Sequence, residues 1–133
     1  PSTPNSATTG LPVDQPCALL PASALRQLDA VGPPRQEMVG TAHACEFHTS
    51  GYNIIVGIRN NVGVGGFQST GGKVVDTTIG RHAAKEELDS PTCTIGIGVS
   101  ASARVDVMVT SIMTADPCSG AMNVAQLVEP NLP

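Results

Sequence analysis

Four cysteines, Cys17, Cys45, Cys93 and Cys118, constrain this chain more than any other feature. No two are spaced as a C-x-x-C unit, so they read as a structural disulfide framework and not as a zinc clamp or a thiol redox motif. Disulfides persist in oxidising compartments, which points outside the cytosol. A chain of 133 residues is long enough for one domain with its own core. The bridges therefore reinforce a fold and do not replace one. That core has to be built from Val, Ile, Leu, Ala and Met, because Phe47, Phe67 and Tyr52 are the only aromatic residues.

Period-2 alternation dominates the middle of the chain. Cys45 and Phe47 share one face of HACEFHT with His43, and Glu46 and His48 share the other. Ile54, Val56 and Ile58 line one face of YNIIVGIRN; Cys93, Ile95, Ile97 and Val99 line one face of CTIGIGVS. Val105, Val107 and Val109 alternate with Arg104, Asp106, Met108 and Thr110. These are the marks of antiparallel strands with one buried face. Thr49-Ser50-Gly51 and Ser100-Ala101-Ser102 are short enough to close two hairpins. KVVDTTIG reads as a further, weaker strand, and RHAAKEEL fits a strand or a helical turn.

Helices are expected at both ends. Pro21 suits a first helical turn, Ala24, Leu25, Leu28 and Val31 give an apolar stripe, and Gly32-Pro33-Pro34 would stop it. Asp116 and Pro117 make a second helix start, with Cys118, Ala121, Met122 and Ala125 on one face and Pro130 ending it. Residues 1–12, PSTPNSATTGLP, lack apolar periodicity and read as a flexible tether, either attached to something upstream or an ordinary frayed terminus. The chain opens on Pro1 and not Met, so removal of a natural start is expected. The expected fold class is α+β: residues 13–133 form a single domain, one curved antiparallel sheet with an N-terminal and a C-terminal helix packed on one face.

The disulfide pairing follows from these positions. Cys17 precedes the first helix and Cys45 lies on the inward face of the first strand; Cys93 begins a strand and Cys118 opens the last helix. Pairing Cys17 with Cys45 and Cys93 with Cys118 pins one helix to the sheet at each end.

Chemistry-bearing patterns are few. A formal charge of −4 with only seven Lys and Arg argues against nucleic acid, which needs a basic face, and against a polybasic membrane contact. No apolar run approaches the ~20 residues of a membrane helix. The segment from Asn60 to Gly72 holds five glycines but matches neither phosphate-binding pattern. Phe67 stands at the first glycine of G-x-x-x-x-G-K-[ST] and Val74 at its hydroxyl, while Gln68 fills the third slot of G-x-G-x-x-G. Glu46 and His48 share a strand face, but two ligands make a weak metal site, and His43 and His82 add no recognised unit. Glu86 and Glu87 point to opposite faces of a strand and cannot act as an acid–base pair; both read as surface charge. Ser119 has no histidine placed to activate it. A free Cys118 at a helix N-terminus would be reactive, and a disulfide is the stronger reading. No catalytic residue, cofactor or metal site is expected. Phe67 and Gln68, in a glycine-rich loop expected to be mobile, are the candidate contacts for a ligand or partner; the alternative is that Phe67 folds back over the sheet edge as a cap.

Four blocks together carry a resemblance: DQPCALL before the first helix, ACEF on the first strand, IGRHAAKEELDSPTCTIGIGVSASARVDVMV, and ADPCSGAMNVAQLVEPNLP at the end. Over about Pro12 to Pro133 they resemble the actinobacterial lipoproteins grouped as the domain of unknown function 3558 family. Gln15 interrupts the family's Asp-Pro-Cys, Phe47 stands for its usual Trp, and Leu20 replaces its helix-capping Thr. The resemblance implies a secreted domain, held on the outer face of the cytoplasmic membrane by a lipidated cysteine upstream of Pro1. It also implies a fold similar to the Mog1/PsbP-like α+β group, and no catalytic residue. The expectation is therefore a non-enzymatic, monomeric cell-envelope lipoprotein domain that binds a small apolar ligand or an envelope protein. The alternatives are an envelope hydrolase using His48, Glu46 or His82, and a structural accessory subunit without a pocket.

Overall fold

The structure is a computed structural model, described here for residues 10–133. The first nine positions of the expected tether lie outside the described residues. Leu11, within its last three, is already buried in the core.

Seven strands form one antiparallel sheet: β1 (Val31–Val39), β2 (Ala42–His48), β3 (Tyr52–Arg59), β4 (Lys73–Ile79), β5 (His82–Asp89), β6 (Thr92–Ser100) and β7 (Ala103–Ser111). Their spatial order is β1-β2-β3-β7-β6-β5-β4. The alternation sets the register. Ile54, Val56 and Ile58 stand opposite Val109, Val107 and Val105, and Ile95 and Ile97 stand opposite Val107 and Val105. This face buries its β-branched residues almost completely, which specifies the register, since a one-residue slip would turn them to solvent.

The C-terminal helix, α2 (Pro117–Val128), covers β6 and β7. The Asp116 side chain accepts a hydrogen bond from the Cys118 N–H at 3.0 Å, the expected cap. Ala121, Val124, Ala125 and Val128 from α2 close the core. Tyr52 meets the start of this helix: its hydroxyl donates to the Asp116 carbonyl at 2.8 Å, and its ring fills the space beside Gly120.

The N-terminal part differs from the expected single helix. It is a 3-10 turn (Pro16–Leu19) followed by the short helix α1 (Ala22–Gln27). Asp29 then takes a left-handed conformation, φ 57°, and the chain enters β1 at Val31. Gly32-Pro33-Pro34 therefore does not end the helix, which closes at Gln27, and Val31 is not on its apolar stripe; all four residues lie inside β1. Proline lacks the N–H a central strand needs, and β1 is an edge. The β1–β2 register is irregular between Val31 and Arg35, around the two prolines. RHAAKEEL resolves as strand β5.

The bridges are Cys17–Cys45 and Cys93–Cys118, the pairing reached from the cysteine positions. The first ties the 3-10 turn to β2; the second ties α2 to β6. Among the described residues no helix is long and apolar enough to cross a membrane.

Candidate functional site

Strand order dictates the course of the glycine-rich segment. β3 lies in the middle of the sheet and β4 at its far edge, so residues 60–72 must cross β7, β6 and β5. They do so on the face opposite α2, as a strap. Phe67 lies over Gly96: a Cβ added there would come within 2.6 Å of the ring. Val64 lies over Gly98 in the same way, at 3.0 Å. Two glycines on one face of β6 thus form the bed for two apolar side chains. Phe67 is half-buried and Gln68 is exposed, so Gln68 is the more accessible of the two candidate contacts.

Buried charge anchors both ends of the strap. Arg59 and Arg104 stand directly opposite each other on β3 and β7, an arrangement that repels. Asp106 sits between them, accepting from Arg104 Nε at 2.8 Å and Arg59 Nε at 3.0 Å. Arg104 and Asp106 are both buried. The Arg104 guanidinium also donates to the Gly63 carbonyl at 3.1 Å and lies 5.5 Å from the centre of the Phe67 ring, a cation–π distance.

Glu87 holds the other end and is not the surface charge expected from its sequence; it is 2% exposed. Its carboxylate accepts from the Ser69 hydroxyl at 2.5 Å, the Thr70 N–H at 3.0 Å and the Gly72 N–H at 2.9 Å. The Ser69 hydroxyl, with the backbone donors of Thr70 and Gly72, holds its pKa below the ordinary carboxylate value. Sequence reading missed this anchor because an adjacent acidic pair on a strand, with no local partner in sequence, reads as solvated surface charge. Glycines at 96 and 98, inside an otherwise regular strand, were the available signal that something approaches that face closely.

The histidines do not assemble a reactive centre. His43 faces the opposite side of β2 from Glu46 and His48. Glu46 is occupied: Arg35 donates to it, and Asn53 lies 3.4 Å away. The Arg35 hydrogen bond holds the Glu46 pKa down. His48 is exposed. His82 is buried, with its two ring nitrogens 2.9 Å from the Glu129 carboxylate and 2.9 Å from the Pro133 carbonyl. It fastens the C-terminal segment to the start of β5. Ser119 lies in the first turn of α2 beside the cap.

A different feature remains open. α2 covers β6 and β7 but leaves part of the same face bare on β4 and β5. Val75 and Leu88 are diagonal neighbours there, since Val75 pairs with Glu86 and Leu88 with Lys73. Each is 47% exposed. Val75 lies on β4 itself, an edge strand that among the described residues is paired on one side only, and Leu88 lies on β5 beside it.

Residues 1–131 match the family model described as "Protein of unknown function (DUF3558)". No curated protein matches, and no solved structure matches.

Proposed function

This chain belongs to the DUF3558 family, and from that premise we propose that it is a non-enzymatic cell-envelope domain that binds a partner protein at the open β4–β5 flank. Its two disulfides indicate an oxidising, extracytoplasmic environment. Attachment by a lipidated cysteine upstream belongs to the proposal, as does the likeness to the Mog1/PsbP-like group; one sheet with helical segments on one face supports the latter.

The observation that carries the binding reading is the pair Val75 and Leu88. Two adjacent apolar side chains, half exposed at the far margin of the face that buries the core, lie on β4 and on β5 beside it. Among the described residues the outer backbone N–H and C=O groups of β4 have no neighbouring strand. An extended segment of a partner protein would satisfy both features, adding a strand to the edge and covering the two side chains. A small apolar ligand is less well served, because the space between sheet and α2 is filled by Ile, Val and Ala side chains.

A photocrosslinking residue placed at Val75 in the native envelope tests this, with Glu37 on the opposite edge as control. The expected result is one protein adduct from position 75, absent from position 37 and lost in the Leu88→Glu variant. Equal adducts from both edges would overturn the reading. So would a small apolar molecule that co-purifies and survives Leu88→Glu.

A further inference from the structure

Beside the open flank, Glu86, Cys93 and Cys118 bring their ligand atoms within 4.8 Å of one another. The sheet explains why. Glu86 pairs with Ile95, and Cys93 pairs with Leu88. Glu86 and Cys93 are therefore diagonal neighbours on the face toward α2, with Glu86 Oε2 3.9 Å from Cys93 Sγ. Cys118, the second residue of α2, closes the group from above. In the oxidised protein the two sulfurs are bonded to each other and offer no thiolate. Cys93 is fully buried, while Cys118 and Glu86 are half-buried, so a reductant meets the Cys118 side of the bridge.

We propose that reduction of the Cys93–Cys118 bridge converts this group into a three-ligand site for a thiophilic divalent cation of the zinc class. The step balances with a dithiol reductant. The reductant's two thiols become a disulfide, and Cys93 and Cys118 become two thiols. The cation then takes both sulfurs as thiolates, releasing two protons to solvent, with no change in its own oxidation state. Two thiolates and one carboxylate suit zinc, with water as the fourth ligand; calcium and magnesium favour all-oxygen sets. The N-terminus of α2 favours the Cys118 thiolate. The bound ion would replace the covalent link between β6 and α2. Among the described residues the Cys17–Cys45 bridge has no comparable group. The proposal is independent of the binding role assigned to the flank.

Cobalt(II) is the probe, added without oxygen to the full chain after reduction by a phosphine and removal of the excess. The expected result is sulfur-to-cobalt charge-transfer absorption in the reduced protein and none in the oxidised one, with displacement by zinc. Cys93→Ser should lose the band, and the Cys17→Ser/Cys45→Ser double variant should keep it. Glu86→Gln should bind at least about ten-fold more weakly, a loss seen even for outer partners of metal ligands. Zinc should also raise the melting midpoint of the reduced chain, or refold it where reduction alone unfolds it. Absence of the band, its persistence in Cys93→Ser, equal affinity in Glu86→Gln, or failure of zinc to stabilise the reduced chain would each overturn the site.

Discussion

The ring of Phe67 occupies the space that a side chain at Gly96 would need. The two residues come from the strap and from β6, and each explains the other. A bulkier residue at 96 would lift the strap; a smaller one at 67 would leave the glycine bed uncovered. Phe67→Ala is expected to lower stability by about 1.5–3 kcal/mol, less than the 3–5 kcal/mol of a fully buried phenylalanine. Gly96→Ala should cost about 1–3 kcal/mol by overpacking. In the Phe67→Ala background the Gly96→Ala penalty should shrink. Urea denaturation of the four proteins in this cycle checks it, and strictly additive losses would show that the ring and the glycine are not coupled.

Acid should loosen the far end of the strap. Glu87 has a folded pKa below its ordinary value of 4.5. Its contribution is therefore present above that value and is lost as pH falls from there through the folded pKa. Glu87→Gln should flatten this part of the stability profile while leaving the profile above pH 4.5 similar in shape. Chemical denaturation between neutral and acid pH measures the slope, and an unchanged acid slope in the variant would count against the anchor.

His82 and His48 should separate cleanly. His82→Ala removes a buried partner of Glu129 and of the Pro133 carbonyl, and should cost about 1–3 kcal/mol. His48 is exposed, so His48→Ala should stay within about 0.5 kcal/mol of the parent. Melting curves at neutral pH give both values. Indistinguishable variants would mean that the C-terminal contact adds no stability.

Each bridge closes a loop of moderate length, with sequence separations of 28 and 25. On chain-entropy grounds each should contribute about 3–4 kcal/mol. A non-reducing peptide map should link Cys17 only to Cys45 and Cys93 only to Cys118. Unfolding of the paired Cys→Ser variants supplies the energies.

The sequence carried the central strands because Ile54, Val56 and Ile58, or Val105, Val107 and Val109, can bury one face in only one register. It carried α2 because Asp116-Pro117 is both cap and first turn. It did not carry β1, since Gly32-Pro33-Pro34 breaks a helix and a central strand alike; only the edge position, a tertiary fact, admits two prolines. The burial of Glu87 and His82 was hidden for the same kind of reason. Both lie on β5, and what covers them arrives from residues 69–72 in one case and from Glu129 and Pro133 in the other. The path of the strap depends on β4 pairing at the far edge, and local periodicity has no access to strand order.

The strap is also the only covalent path between two halves that are each closed on themselves. Cys17–Cys45 lies wholly before it, and Cys93–Cys118 wholly after it. The halves meet along the β3–β7 seam, through the shared core, and where Asn131 donates to the Leu19 carbonyl at 3.0 Å. A single cut near Gly65 would therefore turn the molecule into a heterodimer of two separately cross-linked fragments. Its integrity would then depend on concentration, which makes the domain a natural candidate for splitting and reassembly from two independently produced pieces.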